Sequence, residues 1–128
     1  MKWDFKEGIP IWQQIGHTMQ IRIVNGTYPP GSKLPTVREL ALEAGVNPNT
    51  MQRALSELER DELVYAQRTA GRFVSEDEER LTRLREDLAR EKVEELFEAL
   101  MRMGLTPEQI AESVGRYARK QTDEFQEE

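Results

Sequence analysis

The chain of 128 residues lacks cysteine and contains a single histidine. Disulfide bonds, thiolate nucleophiles and the usual zinc ligand sets are therefore excluded together. No apolar run approaches the ~18 residues needed to span a bilayer. Acidic residues also interrupt the N-terminal stretch MKWDFKEG, where a signal peptide would be continuously apolar. These absences predict a cytoplasmic protein with no metal, no cofactor and no membrane partner.

Apolar residues are also scarce. Hydrophobic residues make up 38% of the chain and charged residues 33%, against about 45–50% and about 25% in an average soluble domain. A chain of this length is expected to form one small domain with an appendage, and it is too short for a large two-lobed enzyme. The composition therefore favours small helices around one core, or a chain that completes its core with a partner.

Negative charge is concentrated in the second half of the chain. Residues 1–75 contain nine Lys and Arg against eight Asp and Glu, whereas residues 76–128 contain nine against sixteen. A polyanion would be repelled by the second half and tolerated by the first. The net charge of −6 therefore does not exclude a nucleic-acid partner, provided that it meets residues 1–75.

Three helices are predicted in the first half. Apolar residues at helical spacing predict the first helix over residues 10–25. Thr36 and the glutamate three residues later form a capping box for a second helix over residues 36–44. Asn47, followed by proline, is typical of the start of a third helix that runs to about Glu59. A short glycine-containing turn joins the second and third helices, which is the spacing of a helix-turn-helix.

A hairpin and two further helices complete the prediction. The β-prone runs LVYAQR and RFVS flank the tight turn TAG, and a hairpin after a helix-turn-helix is a wing. A charged amphipathic pattern from Glu76 to Gly104 predicts a long helix, and Thr106 opens a last one. We therefore expect a mainly α fold with a small β wing. A winged helix-turn-helix domain would occupy residues 1–75, and a two-helix dimerisation hairpin would occupy residues 76–128.

The third helix has one polar face without acidic residues. On a helical wheel its core stripe is Met51, Ala54, Leu55 and Leu58, and its opposite face is Asn49, Gln52, Arg53, Ser56 and Arg60. Amide, hydroxyl and guanidinium groups of this kind read base edges in the major groove. An ordinary solvated polar face is an equally good interpretation of the helix taken alone.

Cations outside the third helix favour the DNA interpretation. Lys33 and Arg38 lie in and after the loop that precedes the second helix, and Arg68 and Arg72 bracket the wing turn. Gly71 would let the wing backbone approach a duplex closely. Each cation could also be a plain surface charge.

The segments PPGSKLPTVREL, GVNPNT and GRFV occur in this order. With them, residues 9–75 resemble the winged-helix DNA-binding domain of GntR-family bacterial transcription regulators. The short C-terminal region is similar to that of the YtrA-type subfamily, in which a helical tail forms the dimer. The resemblance implies that Arg38 contacts phosphate or base edges, that the third helix enters the major groove, and that the wing around Gly71 approaches the minor groove.

Family members often carry arginine where this chain has Pro48 and Gln52. We therefore assign base reading to Asn49, Thr50, Gln52 and Arg53, although the Thr50 hydroxyl could instead cap its own helix. The predicted DNA-binding set comprises Lys33, Thr36, Arg38, Asn47, Asn49, Thr50, Gln52, Arg53, Arg68, Gly71 and Arg72.

The C-terminal helices carry more apolar surface than a two-helix hairpin can bury against itself. We predict an isologous homodimer, and the alternative is packing against the winged domain. The predicted interface residues are Leu81, Leu84, Leu88, Val93, Leu96, Phe97, Leu100, Ile110, Val114 and Tyr117.

The predicted function is a sequence-specific transcriptional regulator, most simply a repressor, that binds a palindromic DNA operator as a homodimer. The alternative is a winged helix used for protein contacts in a larger assembly. An enzyme is disfavoured because the carboxylates from Glu91 to Glu98 follow one helix without a histidine to converge on. An unidentified small-molecule effector is left open as a further partner. The aromatics Trp3, Phe5 and Trp12 would close the first helix against the wing, or form a sticky patch.

Overall fold

The computed structural model describes residues 3–127. In chain order its elements are α1 (Ile11–Val24), α2 (Val37–Ala44), α3 (Pro48–Arg60), β1 (Val64–Gln67), β2 (Gly71–Val74), α4 (Glu78–Arg102) and α5 (Pro107–Glu127). The mainly helical fold with a two-stranded wing is thus confirmed. The chain divides into two compact units, Met1–Asp87 and Leu88–Glu128.

The core of the first unit is formed where α1 and α2 pack against α3. The stripe predicted for α3 is fully buried, and apolar residues of all three helices and of the wing join it: Ile15, Met19, Ile23, Leu40, Ala41, Leu63, Val64 and Val74. Ile11 has the helical spacing of the buried Ile15, Met19 and Ile23 but is 44% exposed. It is the first residue of α1 and lies at the edge of this core.

Side-chain caps fix where α2 and α3 begin. The Thr36 hydroxyl accepts a hydrogen bond from the Glu39 backbone N–H at 3.1 Å, and the Glu39 carboxylate accepts one from the Thr36 N–H at 3.1 Å. The hydrogen bond that the Thr36 backbone N–H donates to the carboxylate lowers the pKa of Glu39. Asn47 Oδ1 accepts from the Asn49 N–H at 2.8 Å. Gly45 adopts φ 74° in the turn between the helices, where an L side chain would be strained.

The wing is an antiparallel hairpin in which Val64 pairs with Val74 and Gln67 with Gly71. An isolated bridge between Lys33 and Phe73 brings the loop before α2 alongside β2. The loop is therefore tied to the wing by backbone pairing.

The N-terminal aromatics do not close α1 against the wing, so that prediction was wrong. The Trp3 indole N–H donates to Glu43 on α2 at 2.7 Å, and the Trp3 backbone N–H donates to the Ala44 carbonyl. Arg22 of α1 donates to the same carboxylate at 2.6 Å and lies 4.7 Å from the Trp3 ring centroid. The N-terminal segment therefore docks at the ion pair that Arg22 of α1 forms with Glu43 of α2.

The first compact unit continues past the wing, whereas the sequence prediction divided the chain after residue 75. Arg85 donates to the Val24 carbonyl at 2.8 Å, and Arg80 donates to the Asp61 carbonyl at 3.3 Å. Leu81 and Leu84 are each only 6% exposed. These contacts make the start of α4 a part of the winged unit.

In the second unit, a tight turn joins α4 to α5. Gly104 adopts φ 94°, and the Leu105 N–H returns to the Leu100 carbonyl at 3.2 Å. Thr106 and Gln109 form the predicted capping box, with hydrogen bonds of 2.9 and 3.2 Å. The positions of both helices therefore agree with the prediction from the sequence.

Candidate functional site

The outer face of α3 is a continuous polar surface. Its exposed side chains are the five predicted for it, Asn49, Gln52, Arg53, Ser56 and Arg60. The acidic residues Glu57 and Glu59 lie to the side and are half-buried. The face therefore presents donors and amides to solvent, without a carboxylate at its centre that would repel phosphate.

Several of these side chains are held by neighbouring residues. Gln52 Nε2 donates to the Ser56 hydroxyl at 3.3 Å, one turn along α3. The Arg53 guanidinium lies 4.3 Å from the ring centroid of Trp12, at the start of α1. Arg60 is only loosely paired with Glu57, at 4.0 Å, and remains largely exposed. Arg53 is thus the one arginine of this face that lies on an aromatic ring within the described residues.

The capping residues keep polar groups available. Asn47 uses its carbonyl oxygen as a cap, so its amide NH2 is left to donate. Thr36 likewise accepts with its hydroxyl oxygen, so the hydroxyl proton is left to donate. Thr50 is half-buried, and within residues 3–127 its hydroxyl forms no capping bond to its own helix. Their predicted role in DNA binding stays a prediction.

Exposed cations surround this face. The side chains of Lys33, Arg38 and Arg68 are exposed and form no ion pair in the described part of the chain. The Lys33 side chain also runs over the wing turn. A Cβ on Gly71 would lie 3.1 Å from Lys33 Cε, and Gly71 has φ +106°. The positive φ favours glycine here, because an L side chain would be strained, whereas the flexible end of Lys33 could move aside for a Cβ.

Arg72 differs from the other predicted contacts. Its side chain is 17% exposed, and its guanidinium is engaged by the Glu59 carboxylate at the end of α3. The other predicted cations point their charge at solvent, whereas this one joins the wing to α3. This pair could not be predicted from the sequence, because the two residues are thirteen positions apart on different elements.

The predicted interface residues fall into three groups. Leu81, Leu84 and Ile110 are buried within the single chain, so they have little surface left to offer a partner. Leu88, Phe97 and Leu100 are half-buried, and Val93, Leu96, Val114 and Tyr117 are exposed. Three further exposed apolar residues of the second unit lie outside the predicted set, although helical spacing from Phe97, Leu100 and Val114 could have found them: Met101, Met103 and Phe125.

The chain is similar to known bacterial transcription regulators. The model of the gntR family of bacterial regulatory proteins matches residues 12–74. The HTH-type transcriptional regulator YhcF of Bacillus subtilis is 39% identical over 111 residues, which are 87% of this chain and 92% of the relative. The chain belongs to the GntR family. The HTH-type transcriptional repressor YtrA of the same organism is 37% identical over 66% of this chain and 70% of its own length.

Solved structures agree with this assignment. A GntR-family transcriptional regulator from Listeria monocytogenes superposes with a TM-score of 0.79 at 39% identity, over 88% of this chain and 98% of its own. The AraR DNA-binding domain in complex with operator ORX1 superposes with a TM-score of 0.52 at 28% identity, over 59% of this chain and 92% of its own. This GntR-family protein is therefore a transcriptional regulator with a winged helix-turn-helix.

Within the described residues, no helix of this regulator is long and apolar enough to cross a membrane. Across the same residues, no three His, Asp or Glu side chains come together in a group that could hold a metal ion. The side chains of the site are hydrogen-bond donors, amides and exposed cations.

Proposed function

We propose that this GntR-family regulator represses transcription by binding, as a homodimer, a pseudo-palindromic DNA operator. The observation that carries the proposal is the exposed face of α3, which contains no carboxylate, together with the exposed cations Lys33, Arg38 and Arg68 beside it. The AraR DNA-binding domain, which shares this fold, was solved in complex with an operator, and this supports duplex DNA as the partner.

In the proposed complex α3 enters the major groove. Asn49, Thr50, Gln52 and Arg53 read base edges, because amide and guanidinium groups form the bidentate pairs that distinguish bases. Arg38 and Lys33 contact phosphates, and these contacts fix the register of the domain on the duplex. The wing approaches the adjacent minor groove around Gly71, where the missing side chain permits close backbone approach.

The second unit supplies the proposed dimer. Val93, Leu96, Val114 and Tyr117 are exposed on α4 and α5 of the second unit. A second copy of the same unit would bury this surface symmetrically. Two winged domains held by one dimer match the two half-sites of a palindrome and gain avidity from binding together.

Repression follows most simply if the bound dimer blocks access to overlapping promoter DNA. The naming of YtrA as a repressor supports repression over activation. The protein would act where the chromosome is, in the cytoplasm. A small-molecule effector, if one acts, would have to change the spacing or orientation of the two winged domains.

Selection of duplexes from a random library with the full chain tests the proposal. We expect one enriched site with two-fold symmetry. Arg38→Ala should lower recovery of all duplexes, and a matched charge change on the second unit, Arg116→Ala, should not. Failure to enrich any duplex at low salt would favour the alternative, a winged helix used for protein contacts.

A further inference from the structure

The starting observation is the contact between Trp12 and Arg53. Trp12 is the second residue of α1, and Arg53 lies on the exposed face of α3. The guanidinium carbon is 4.3 Å from the indole ring centroid. The two helices pack against each other in the core of the same compact unit, so the ring is fixed relative to α3.

The contact with Trp12 leaves the N–H donors of the Arg53 guanidinium without a hydrogen-bond partner among residues 3–127. A guanidinium on an aromatic face uses its flat face for the ring, while its N–H donors point outward in its own plane. A bidentate pair with guanine uses those in-plane donors. Arg53 forms no ion pair among residues 3–127 that would occupy them.

An arginine without such support would be spread over many rotamers. Ordering a long flexible side chain upon binding costs conformational entropy, and a group that is already held in one arrangement costs less to bind. Trp12 is itself half-buried, so it is a more rigid support than another surface side chain would be. Gln52, which bonds to Ser56 along the same helix, is supported only by an exposed residue.

We propose that Trp12 is a positioning residue for base recognition: its ring holds the Arg53 guanidinium in the orientation that reads one base pair in each half-site, although Trp12 itself touches no base. The inference rests on the proposed function, because it assumes that the α3 face meets DNA. It assigns to α1, an element outside the helix-turn-helix, a share in sequence specificity.

The test uses the full chain and its selected operator, with every single-base variant of one half-site. Arg53→Gln should reduce discrimination at one base position about 5- to 100-fold. Trp12→Leu, which keeps an apolar side chain but removes the aromatic face, should reduce discrimination at that same position about 2- to 5-fold. Trp12→Phe should restore most of it, and the other positions should be unchanged.

A double-mutant cycle separates positioning from a structural role. In the Arg53→Gln background, Trp12→Leu should have no further effect on discrimination, whereas in a Gln52→Ala background its full effect should remain. Equal losses in both backgrounds, or a uniform loss at every base, would overturn the inference. Stronger discrimination after Trp12→Leu would also overturn it, since the ring would then be holding Arg53 away from the duplex.

A spectroscopic readout remains if Trp12→Leu weakens the fold. In a Trp3→Phe chain, Trp12 is the only tryptophan, and its quenching by acrylamide in the operator complex should increase when Arg53→Gln removes the covering guanidinium. Unchanged quenching would contradict the inference. If the unsubstituted chain binds no duplex at all, the proposed function fails, and that outcome is distinct from these.

Discussion

Arg72 on the wing is bound by the carboxylate of Glu59 at the last turn of α3. The pair is largely shielded, with side chains 17% and 32% exposed. Because α3 carries the proposed base-reading residues and the wing carries Gly71, this pair fixes the two DNA-facing elements relative to each other. One of the positive charges at the wing is also neutralised by it.

The first prediction concerns this pair. Arg72→Gln and Glu59→Gln should each lower the free energy of unfolding by about 1 kcal/mol, because a partly buried charge loses its partner. The double variant should cost less than the sum of the two, as measured by urea unfolding in a double-mutant cycle.

Operator binding distinguishes two roles for Arg72: a tether that holds the wing against α3, or a contact with DNA phosphate. If Arg72 acts as a tether, Glu59→Gln should weaken operator binding, since the wing is loosened. Tighter binding by Glu59→Gln, with a steeper salt dependence, would instead mean that the released arginine is a phosphate contact that Glu59 restrains.

The second prediction separates phosphate contacts from base contacts. Arg38→Ala should weaken all duplexes by a similar factor and reduce the salt dependence, whereas Gln52→Ala should change preference at one base position per half-site by about 1–3 kcal/mol. For the unsubstituted dimer we expect affinity to fall with salt at a log–log slope of roughly −4 to −8. Titrations of matched and single-base-variant duplexes at several salt concentrations measure both effects. A uniform loss for Gln52→Ala as well would mean that α3 does not read bases.

The elements of the fold could be predicted because their signals are local. Caps at Thr36, Asn47 and Thr106 mark helix starts, and the glycine turn between two β-prone runs marks the wing. What could not be predicted are pairings between distant positions, such as Trp12 with Arg53 and Arg72 with Glu59. A helical wheel shows which face is polar, but it does not show which neighbouring element supplies a partner.

Helical periodicity has the same limit for apolar residues, which explains why Leu81 and Leu84 were predicted in the dimer interface. Leu81 and Leu84 continue the stripe of α4, so periodicity alone grouped them with the later leucines. They are nevertheless buried in the single chain, where Arg80 and Arg85 bond the start of α4 to backbone carbonyls of the winged unit. Periodicity identifies a buried face but does not identify which surface buries it.

The third prediction concerns pH. A hydrogen bond from Arg22, and a second one from Trp3, lower the pKa of Glu43 below its ordinary value. A lowered pKa means that the stabilisation is present above the carboxyl pKa of the unfolded chain and is lost as the pH falls through the folded-state pKa. Glu43→Gln should therefore destabilise the protein at neutral pH, by no more than about 1 kcal/mol because the carboxylate is partly exposed.

Urea unfolding of both proteins between neutral and strongly acidic pH checks this. The difference between them should shrink as the pH falls through the folded-state pKa of Glu43. Glu112→Gln, whose carboxylate lies in an exposed pair with Arg116 on α5, serves as the control and should show little difference at any pH. A Glu43→Gln difference that stays constant down to acidic pH would contradict the assignment.

The last prediction is that the second unit forms the dimer and that operator affinity depends on it. Leu96 is 40% exposed and Leu100 half-buried on the same face of α4. A carboxylate at either position would be desolvated without a partner in the proposed interface, at a cost of several kcal/mol. Sedimentation should show monomers for the Leu96→Glu, Leu100→Glu variant, with operator affinity lowered by orders of magnitude as avidity is lost. Circular dichroism should show that the helices of the winged unit remain folded.

Arg102→Gln provides the matched control, because it also makes the second unit more acidic but acts on the polar side of α4, where Arg102 pairs with Glu98 at 3.7 Å. It should leave the dimer intact. If the Leu96→Glu, Leu100→Glu variant stayed dimeric, the interface would have to lie elsewhere. Ile9, Ile11 and Ile21, which are among the exposed apolar residues of the first unit, would then be the next to substitute, because they lie together on and just before α1.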